Sequence, residues 1–366
     1  MSGRLRVGIL FGGRSGEHEV SVASAASVMA ALDPDKYESL PIGITREGRW
    51  IPDLDPRRVL TAGAVAEPLL PPASGPDPTT QGMLRLEARG PAPIPTRGQL
   101  EVVFPILHGP LGEDGTVQGL LELMDLPYIG AGVMASAVGM DKAMMKVVFG
   151  AHGLPIVEHV VVSRRTWEAD PTRAAEQAER ACGYPCFVKP ANLGSSVGVS
   201  RAVSRGELLE GMTLAARYDR KIIVERGVDA REIECSVLGN DEPAASVPGE
   251  IRPKKAWYDY EAKYTEGLSE LIVPAPIPEN LAIRAREMAV AAFRAIDCAG
   301  MARVDFFLER GTDRLILDEI NTIPGFTATS VSAKLWAASG VPYPAVIDRL
   351  IALALERHRD RVGLLA

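Results

Sequence analysis

The chain has 366 residues, 46% of them hydrophobic, so it can bury a sizeable core divided over two or three units. Its net charge of -7, with lysines and arginines scattered along the chain, argues against a nucleic-acid partner. No apolar run approaches roughly eighteen residues, and the N-terminus lacks the pattern of a secretory leader. These features argue against a membrane protein and predict a cytoplasmic one.

The N-terminal part predicts an α/β unit with parallel strands, which we place at residues 1–129. "RVGILFGG" is typical of a strand, "SVASAASVMAAL" of a buried helix, and "DPDKYESLPIGIT" and "LEVVFPILHG" each contain a further strand. Between about 50 and 100 the chain is rich in Pro and Gly and has little periodicity, which predicts a surface insertion.

The middle of the chain predicts a smaller α+β unit at residues 130–228. A helix in "DKAMMKVVFGAHG", a strand in "PIVEHVVVS" and a helix to about Ala181 precede "CFVKPANLGSSVGVS", which is typical of strand, loop and strand. Ser204 and Glu207 have the spacing of a capping box at the start of the next helix, and "KIIVERGV" predicts a closing strand.

The last unit, at residues 229–366, predicts strands in "AREIECSVLG" and "AASVPGEIRP", followed by the loop "KKAWYDYEAKYTEG". A long helix is predicted near 279–296, then a hairpin in "MARVDFFLERGTDRLILDEINT" and a final amphipathic helix in "PAVIDRLIALALERH". The four cysteines form no CxxC pair, which predicts reduced packing residues.

The predicted hairpin has the most informative chemistry. If its turn centres on Thr312, Asp305 lies opposite Glu319 and Arg303 opposite Asn321, and all four side chains share one face. The opposite face, mainly core-like, then carries Val304, Phe306, Asp318 and Ile320.

Two carboxylates and an amide oxygen on neighbouring strands suit a hard cation such as Mg²⁺. The alternative is a solvated sheet face on which Arg303 pairs with Asp305. We favour the metal, because "DEIN" places an acid and an amide at the required period of two.

A metal of this kind usually accompanies a polyphosphate, yet the chain has no GxxxxGK[ST] motif. The candidate cations are Lys142 and Lys189, with 194–198 as a Gly/Ser flap whose N–H groups and hydroxyls close over phosphates. Taken singly, Lys142 could be a surface lysine and the flap an ordinary hairpin turn. Glu225 could accept from an adenine amino group, and Glu232 from ribose hydroxyls.

In this order the motifs resemble the D-alanine–D-alanine ligases of the ATP-grasp superfamily: "GGRSGEHEVS", "HGPLGEDGTVQG", "GVMASAVGMDK", "VKPANLGSSVGV", "VERGVDAREIE", "YDYEAKY" and "RVDFFLE…LDEINTIPGFTATS". The resemblance implies an α/β and α+β fold with three-domain ATP-grasp architecture and an N-terminal parallel-sheet (pre-ATP-grasp) domain. It also implies ATP-dependent ligation of two D-alanines through D-alanyl phosphate for peptidoglycan precursor synthesis, by a cytoplasmic homodimer that binds neither nucleic acid nor membrane.

The resemblance also assigns residues to the nucleotide and the metal. The ATP contacts it implies are Lys142, Lys189, Ser196, Glu225, Arg226, Val228, Glu232 and Lys263. The implied ligands of two Mg²⁺ ions, for which Mn²⁺ can substitute, are Asp305, Glu319 and Asn321.

The turn "FGGRSG" lacks the first glycine of GxGxxG, so we do not expect it to bind ATP. By resemblance it lines the amino-acid pocket, where Glu17, hydrogen-bonded with Ser195 and Tyr264, holds the ammonium of the first D-alanine. On its own, Glu17 would be taken as a first-turn helix acid. His108 would lie beside the same substrate.

For the second D-alanine, the resemblance implies that Ser330 and Val331 hold the carboxylate. Arg303 and the N–H of Gly325 would stabilise the oxyanion of the tetrahedral intermediate. The loop "WYDYEAKYTEG" would close with the flap to exclude water, and Tyr264 favours a dipeptide over a depsipeptide product.

Three alternatives remain open from the sequence. One is an ATP-grasp ligase that joins a different amino acid. A second is a non-catalytic nucleotide-binding regulatory module, against which the full set of acids and lysines argues. The third is an oxidoreductase that binds NAD(P)H at the N-terminal turn.

Overall fold

The computed structural model describes residues 3–61, 98–253 and 269–363. The strands of the described part are β1 Leu5–Gly12, β2 Tyr37–Ile44, β3 Trp50–Pro52, β4 Val102–Ile106, β5 His159–Ser163, β6 Cys186–Pro190, β7 Ser200–Ala202, β8 Lys221–Arg226, β9 Ala230–Gly239, β10 Ala244–Ala245, β11 Gly249–Pro253, β12 Ser269–Ile272, β13 Gly300–Glu309 and β14 Leu315–Asn321. The helices are α1 His18–Ala31, α2 Pro56–Thr61, α3 Thr116–Leu123, α4 Val133–Met140, α5 Lys142–Ala151, α6 Arg164–Ala169, α7 Pro171–Cys182, α8 Arg205–Tyr218, α9 Glu279–Ala295, α10 Val331–Ala338 and α11 Tyr343–Gly363.

The first sheet has the strand order β3-β2-β1-β4, with β1 parallel to both β2 and β4. This confirms the predicted N-terminal parallel-sheet unit. The first part of the predicted insertion between about 50 and 100 is regular instead, because β3 pairs antiparallel with β2 and α2 follows it. The remainder of that stretch, 62–97, lies outside the described residues.

The glycine turn after β1 fixes the start of α1. Gly12 has φ +90, and a Cβ there would lie 2.3 Å from the carbonyl oxygen of Ile44, so only glycine fits the site. The Ser21 hydroxyl accepts from the Gly12 N–H at 2.7 Å, and Gly13 N–H donates to Ile44 at 2.8 Å. The turn therefore ties α1 to the carboxyl ends of two parallel strands.

The second sheet is antiparallel, with the order β5-β8-β6-β7. The helix predicted to run to about Ala181 is divided, because Asp170 ends α6 and caps α7, and Pro171 has no N–H to continue the helix. At the start of α8, Ser204 accepts from the N–H of Glu207 at 3.4 Å, which confirms the predicted cap.

The third sheet is antiparallel in the order β12-β11-β9-β13-β14, with β10 paired to β9, and α9 packs on it. The stretch "AASVPGEIRP" forms two short strands rather than one, and α10 precedes the predicted final helix α11. Helix α11 packs against the first sheet, where Leu350 joins Val7 and Phe104 in one apolar cluster. Met145 and Phe149 of α5 pack into the core of the third sheet.

All four cysteines are buried free thiols, as predicted. Within the described ranges no single helix is long and apolar enough to span a membrane. One pair bent by 100°, Val331–Ala338 with Tyr343–Gly363, reaches that length and composition only when the two are counted together.

Candidate active site

A cleft of about 780 Å³ lies where the second and third sheets face each other. It is lined from the second sheet and its loops by Lys142, Lys189, Ser195, Ser196, Glu225, Arg226 and Val228. From the third sheet it is lined by Glu232, Glu234, Asp305, Phe307, Asp318 and Glu319, among others. The predicted nucleotide residues therefore border the predicted metal hairpin.

The predicted hairpin register is confirmed at the cleft end, where Asp305 pairs with Glu319 and Arg303 with Asn321. Beyond Asp305 the pairing shifts by one residue, so that Phe306 lies opposite Leu317. This β-bulge leaves Asp318 as the extra residue, and the prediction that Asp318 shares the core-like face is wrong. Its carboxylate and that of Glu319 both line the cleft. The other predicted core-facing residues are buried: Val304, Phe306 and Ile320.

The two predicted metal-binding carboxylates each contact a cation. Arg303 donates Nε to Oδ1 of Asp305 at 2.8 Å and Nη2 to Oδ2 at 2.7 Å, and Lys142 Nζ lies 3.3 Å from Oε2 of Glu319. The Arg303–Asp305 pair of the alternative interpretation is thus present. The solvated face is not, because the Arg303 and Asp305 side chains are only 15% and 16% exposed.

The donor set suits a divalent cation by its chemistry. No three His, Cys, Asp or Glu side chains converge as a metal site in the described part of the chain. The third donor here is an amide, Asn321, whose Oδ1 accepts from the N–H of Ile323 at 3.1 Å. Two carboxylates and one amide oxygen are the oxygen ligands that Mg²⁺ prefers.

Lys189 and Glu225 form a buried ion pair, with Nζ 2.7 Å from Oε2. Burial alone would raise the pKa of Glu225, but the Lys146 and Lys189 ammonium groups outweigh it and lower that pKa to about 2. Burial alone would lower the pKa of Lys189, and the Asp318 and Glu225 carboxylates instead raise it. The charge of Lys189, which lies near the end of β6, is therefore paired.

The remaining nucleotide candidates lie around the same cleft. Lys142 Nζ donates to the carbonyl of Leu193 at 2.9 Å, which ties α5 to the Gly/Ser flap. Arg226 donates Nε to Glu158 at 2.7 Å at the cleft edge. Lys263 lies outside the described residues, as do Tyr264 and the whole of the predicted closing loop.

The flap reaches the glycine turn of the first sheet. Ser195 donates its hydroxyl to Oε1 of Glu17 at 2.5 Å, the contact that the resemblance implies. Cβ atoms on Gly109 and Gly194 would lie 3.3 Å and 3.5 Å from Oε2 of Glu17, so two loops approach this carboxylate closely. Glu17 precedes α1 without capping it through its side chain, which leaves its carboxylate turned to these loops.

His108 joins three segments at the same place. Its ring is 4% exposed, with Nδ1 2.9 Å from the carbonyl of Ile323 and Nε2 3.4 Å from the hydroxyl of Ser24. Ser24 also accepts from the N–H of Phe326 at 3.3 Å. Burial lowers the pKa of His108, and this effect outweighs the negative charge of Glu17, which by itself would raise that pKa. A neutral imidazole is therefore held between α1 and the loop after β14.

That loop leads to the predicted second-substrate residues. Gly325 lies in it with open space beside its Cα, since a Cβ would meet no atom within 4 Å. Ser330 caps α10 by accepting from the N–H of Ala333 at 3.4 Å, and Val331 is the first residue of the helix. The N-terminus of α10 favours an anionic group such as a carboxylate.

Three charged residues around the site were missed from the sequence. Lys146 contacts Glu225 and Asp318, and its position one helical turn after Lys142 was the available signal. Glu113, in the predicted loop "PLGEDGT", accepts from the N–H of Gly109 at 2.5 Å, and burial raises its pKa well above its usual range.

The third, Glu234, lies 3.2 Å from Nε of Arg303. Burial alone would lower the pKa of Arg303, and Asp305 together with Glu234 raises it instead. The alternation of side chains along β9 was the available signal for Glu234, because it shares a strand face with Glu232.

Two protein-family models match the chain. They are described as "D-ala D-ala ligase N-terminus", over residues 6–131, and "D-ala D-ala ligase C-terminus", over residues 148–352. The chain is 48% identical to a D-alanine–D-alanine ligase of Geobacillus thermodenitrificans, over 98% of this chain and 97% of that protein. It is 49% identical to one of Solibacter usitatus, over 98% of each. Among solved structures, the D-alanine-D-alanine ligase from Coxiella burnetii is 36% identical with a TM-score of 0.81, covering 99% of this chain and 97% of that one. VanG D-Ala:D-Ser ligase from Enterococcus faecalis is 30% identical with a TM-score of 0.80, covering 96% and 100%.

Proposed function

This chain belongs to the D-alanine–D-alanine ligase family, and we propose that the cleft between its second and third sheets is the ATP site of that enzyme. The protein is an ATP-dependent ligase of ATP-grasp fold that joins two D-alanines to D-alanyl-D-alanine through D-alanyl phosphate. It releases ADP and phosphate and serves peptidoglycan precursor synthesis. One observation carries the assignment of the site. The described nucleotide candidates and both metal-binding carboxylates line the same cleft.

In this proposal the ATP contacts are those assigned from the sequence: Lys142, Lys189, Ser196, Glu225, Arg226, Val228, Glu232 and Lys263. Lys142 and Lys189 present their ammonium groups to the phosphates, while the flap backbone adds N–H donors. Glu225 at the end of β8 and Glu232 on β9 take the adenosine end. The buried Lys189–Glu225 pair supports this placement, because it holds the lysine in one position before the nucleotide arrives.

We propose that Asp305, Glu319 and Asn321 hold two Mg²⁺ ions per site, with Mn²⁺ able to substitute. When bound, the ions would supply positive charge to the terminal phosphates during transfer. Arg303 contacts Asp305 and Lys142 contacts Glu319, which supports the anionic state of both carboxylates. With metal bound to these carboxylates, Arg303 and Lys142 would be available to the reacting groups.

We propose that the first D-alanine binds where the flap meets the glycine turn. Glu17, positioned by Ser195 and Tyr264, accepts from the substrate ammonium, and His108 lies beside it. The 2.5 Å hydrogen bond from Ser195 supports this role, because it links closure of the phosphate flap to the amino-acid pocket. The substrate carboxylate then points to the γ-phosphate, which the cleft lysines hold.

We propose that Ser330 and the backbone of Val331 hold the carboxylate of the second D-alanine at the start of α10. Its amine attacks the acyl phosphate, and Arg303 with the N–H of Gly325 stabilises the oxyanion. The open space beside the Gly325 Cα supports this, since a Cβ there would meet no atom within 4 Å. The flap and the loop with Tyr264 exclude water from the acyl phosphate.

We further propose a cytoplasmic homodimer with three domains, at 1–129, 130–228 and 229–366, acting without nucleic acid or membrane. The three sheets, which follow one another along the chain, support the division.

A product assay tests the function and the site together. The protein, ATP and Mg²⁺ are incubated with a panel of D- and L-amino acids and hydroxy acids, and products are identified by mass. We expect D-alanyl-D-alanine with stoichiometric ADP and phosphate. A Lys189→Met variant that retained the parental KM for ATP would contradict the proposed site without affecting the product assignment.

A further inference from the structure

Lys146 is a buried lysine that the mechanism above does not use. Its side chain is 1% exposed, although lysines are seldom buried unless paired. Its Nζ lies 3.1 Å from Oε1 of Glu225 and 3.8 Å from Oδ1 of Asp318, and it donates to the Asp318 carbonyl at 3.3 Å. It does not line the cleft, whereas both carboxylates do.

Helix α5 brings two lysines to two consecutive acids. Lys142 and Lys146 lie one turn apart on the same face of the helix. Lys142 contacts Glu319, and Lys146 contacts Asp318, the residue that the β-bulge turns toward the cleft. Lys146 therefore contacts an acid that also borders the cleft.

Glu225 and Asp318 are shared between two lysines on opposite sides. On the cleft side, Lys189 Nζ lies 2.7 Å from the Glu225 carboxylate and 3.7 Å from that of Asp318. Lys146 contacts the same two carboxylates from the side that does not line the cleft. With both lysines the group of four is neutral. Without Lys146, Lys189 alone would face two carboxylates, and the remaining three groups would carry one net negative charge.

We propose that Lys146 is a positioning residue for ATP binding, which neutralises Glu225 and Asp318 from behind so that the charge of Lys189 remains available to the phosphates. An uncompensated negative charge on Glu225 and Asp318 would repel the polyphosphate in a site where charges are poorly screened. The inference rests on the proposed ATP site and adds a residue that does not touch the nucleotide.

The test changes the net charge of the group formed by Lys146, Lys189, Glu225 and Asp318 and measures the KM for ATP. Lys146→Met should raise the KM for ATP by about tenfold or more, with kcat/KM for D-alanine at saturating ATP changed less than about threefold. Adding Asp318→Asn removes the unbalanced carboxylate, so the double variant should return the KM for ATP to within about threefold of the parent. Lys36→Met, which removes an exposed lysine far from the cleft, is the matched control.

The outcomes separate the possibilities. A purely structural Lys146 would lower the melting temperature and disturb both substrates alike, and the double variant would not recover ATP binding; that result overturns the inference. Should Lys146→Met fail to fold, the double variant decides, because the inference requires it to fold with a near-parental KM for ATP. Lys189→Met is measured in parallel. If Lys189→Met leaves the KM for ATP unchanged, the proposed ATP site is wrong. If only Lys146→Met leaves it unchanged, the ATP site stands and this inference alone is wrong.

Discussion

Removing one hydroxyl tests the link between the flap and the first D-alanine. Ser195 donates to the Glu17 carboxylate at 2.5 Å, and a hydrogen bond to a charged group contributes about 1.5–3 kcal/mol. Ser195→Ala should therefore lower kcat/KM for D-alanine by about 10- to 150-fold. Ser195 has φ +52, and alanine keeps its Cβ, so the left-handed backbone is equally strained in both proteins. The loss then reports the hydroxyl alone.

The assay measures ADP release with each substrate varied while the other saturates. Ser196→Ala is the matched control, because Ser196 has φ +57 and lines the ATP cleft. We expect it to raise the KM for ATP and to affect D-alanine less. If Ser195→Ala weakened ATP use while leaving kcat/KM for D-alanine at the parental value, the proposed Glu17–Ser195 pocket would be refuted.

Glu319→Gln should abolish phosphate release from ATP plus D-alanine without changing the circular dichroism spectrum, because the amide removes one anionic metal ligand; near-normal turnover would contradict the metal assignment. The lowered pKa of Glu225 stabilises the fold above its unfolded pKa near 4.5, and that contribution is lost as the pH falls toward about 2. The melting temperature of Glu225→Gln should therefore lie below that of the parent at neutral pH, with a gap that narrows over this window; a constant gap would exclude the ionised pair as its cause. Gly12→Ala should destabilise the fold by more than about 2 kcal/mol in urea unfolding, since its Cβ would meet the Ile44 carbonyl. Gly13→Ala, with a similar φ of +91 but only a 3.5 Å side-chain contact, should cost less, and equal losses would contradict the steric explanation.

The sequence by itself determined most of the strands and helices, the pairing of Asp305 with Glu319, and the order of motifs that identifies the family. These features depend on local propensity, on side-chain alternation and on short spacings, all of which can be read along one segment. The Ser195–Glu17 contact came from the family resemblance, since 178 positions separate the two residues.

Only the tertiary structure decided which charges share a site. The bulge that turns Asp318 toward the cleft changes the register by one residue, and alternation alone assigned it to the core. In the sequence, Lys146 is indistinguishable from any other helix lysine. Only the packing of α5 beside β14 and β8 brings it to Asp318 and Glu225. Burial and ion pairing depend on distances between segments far apart in the chain, and those distances are set by how helices and sheets pack together.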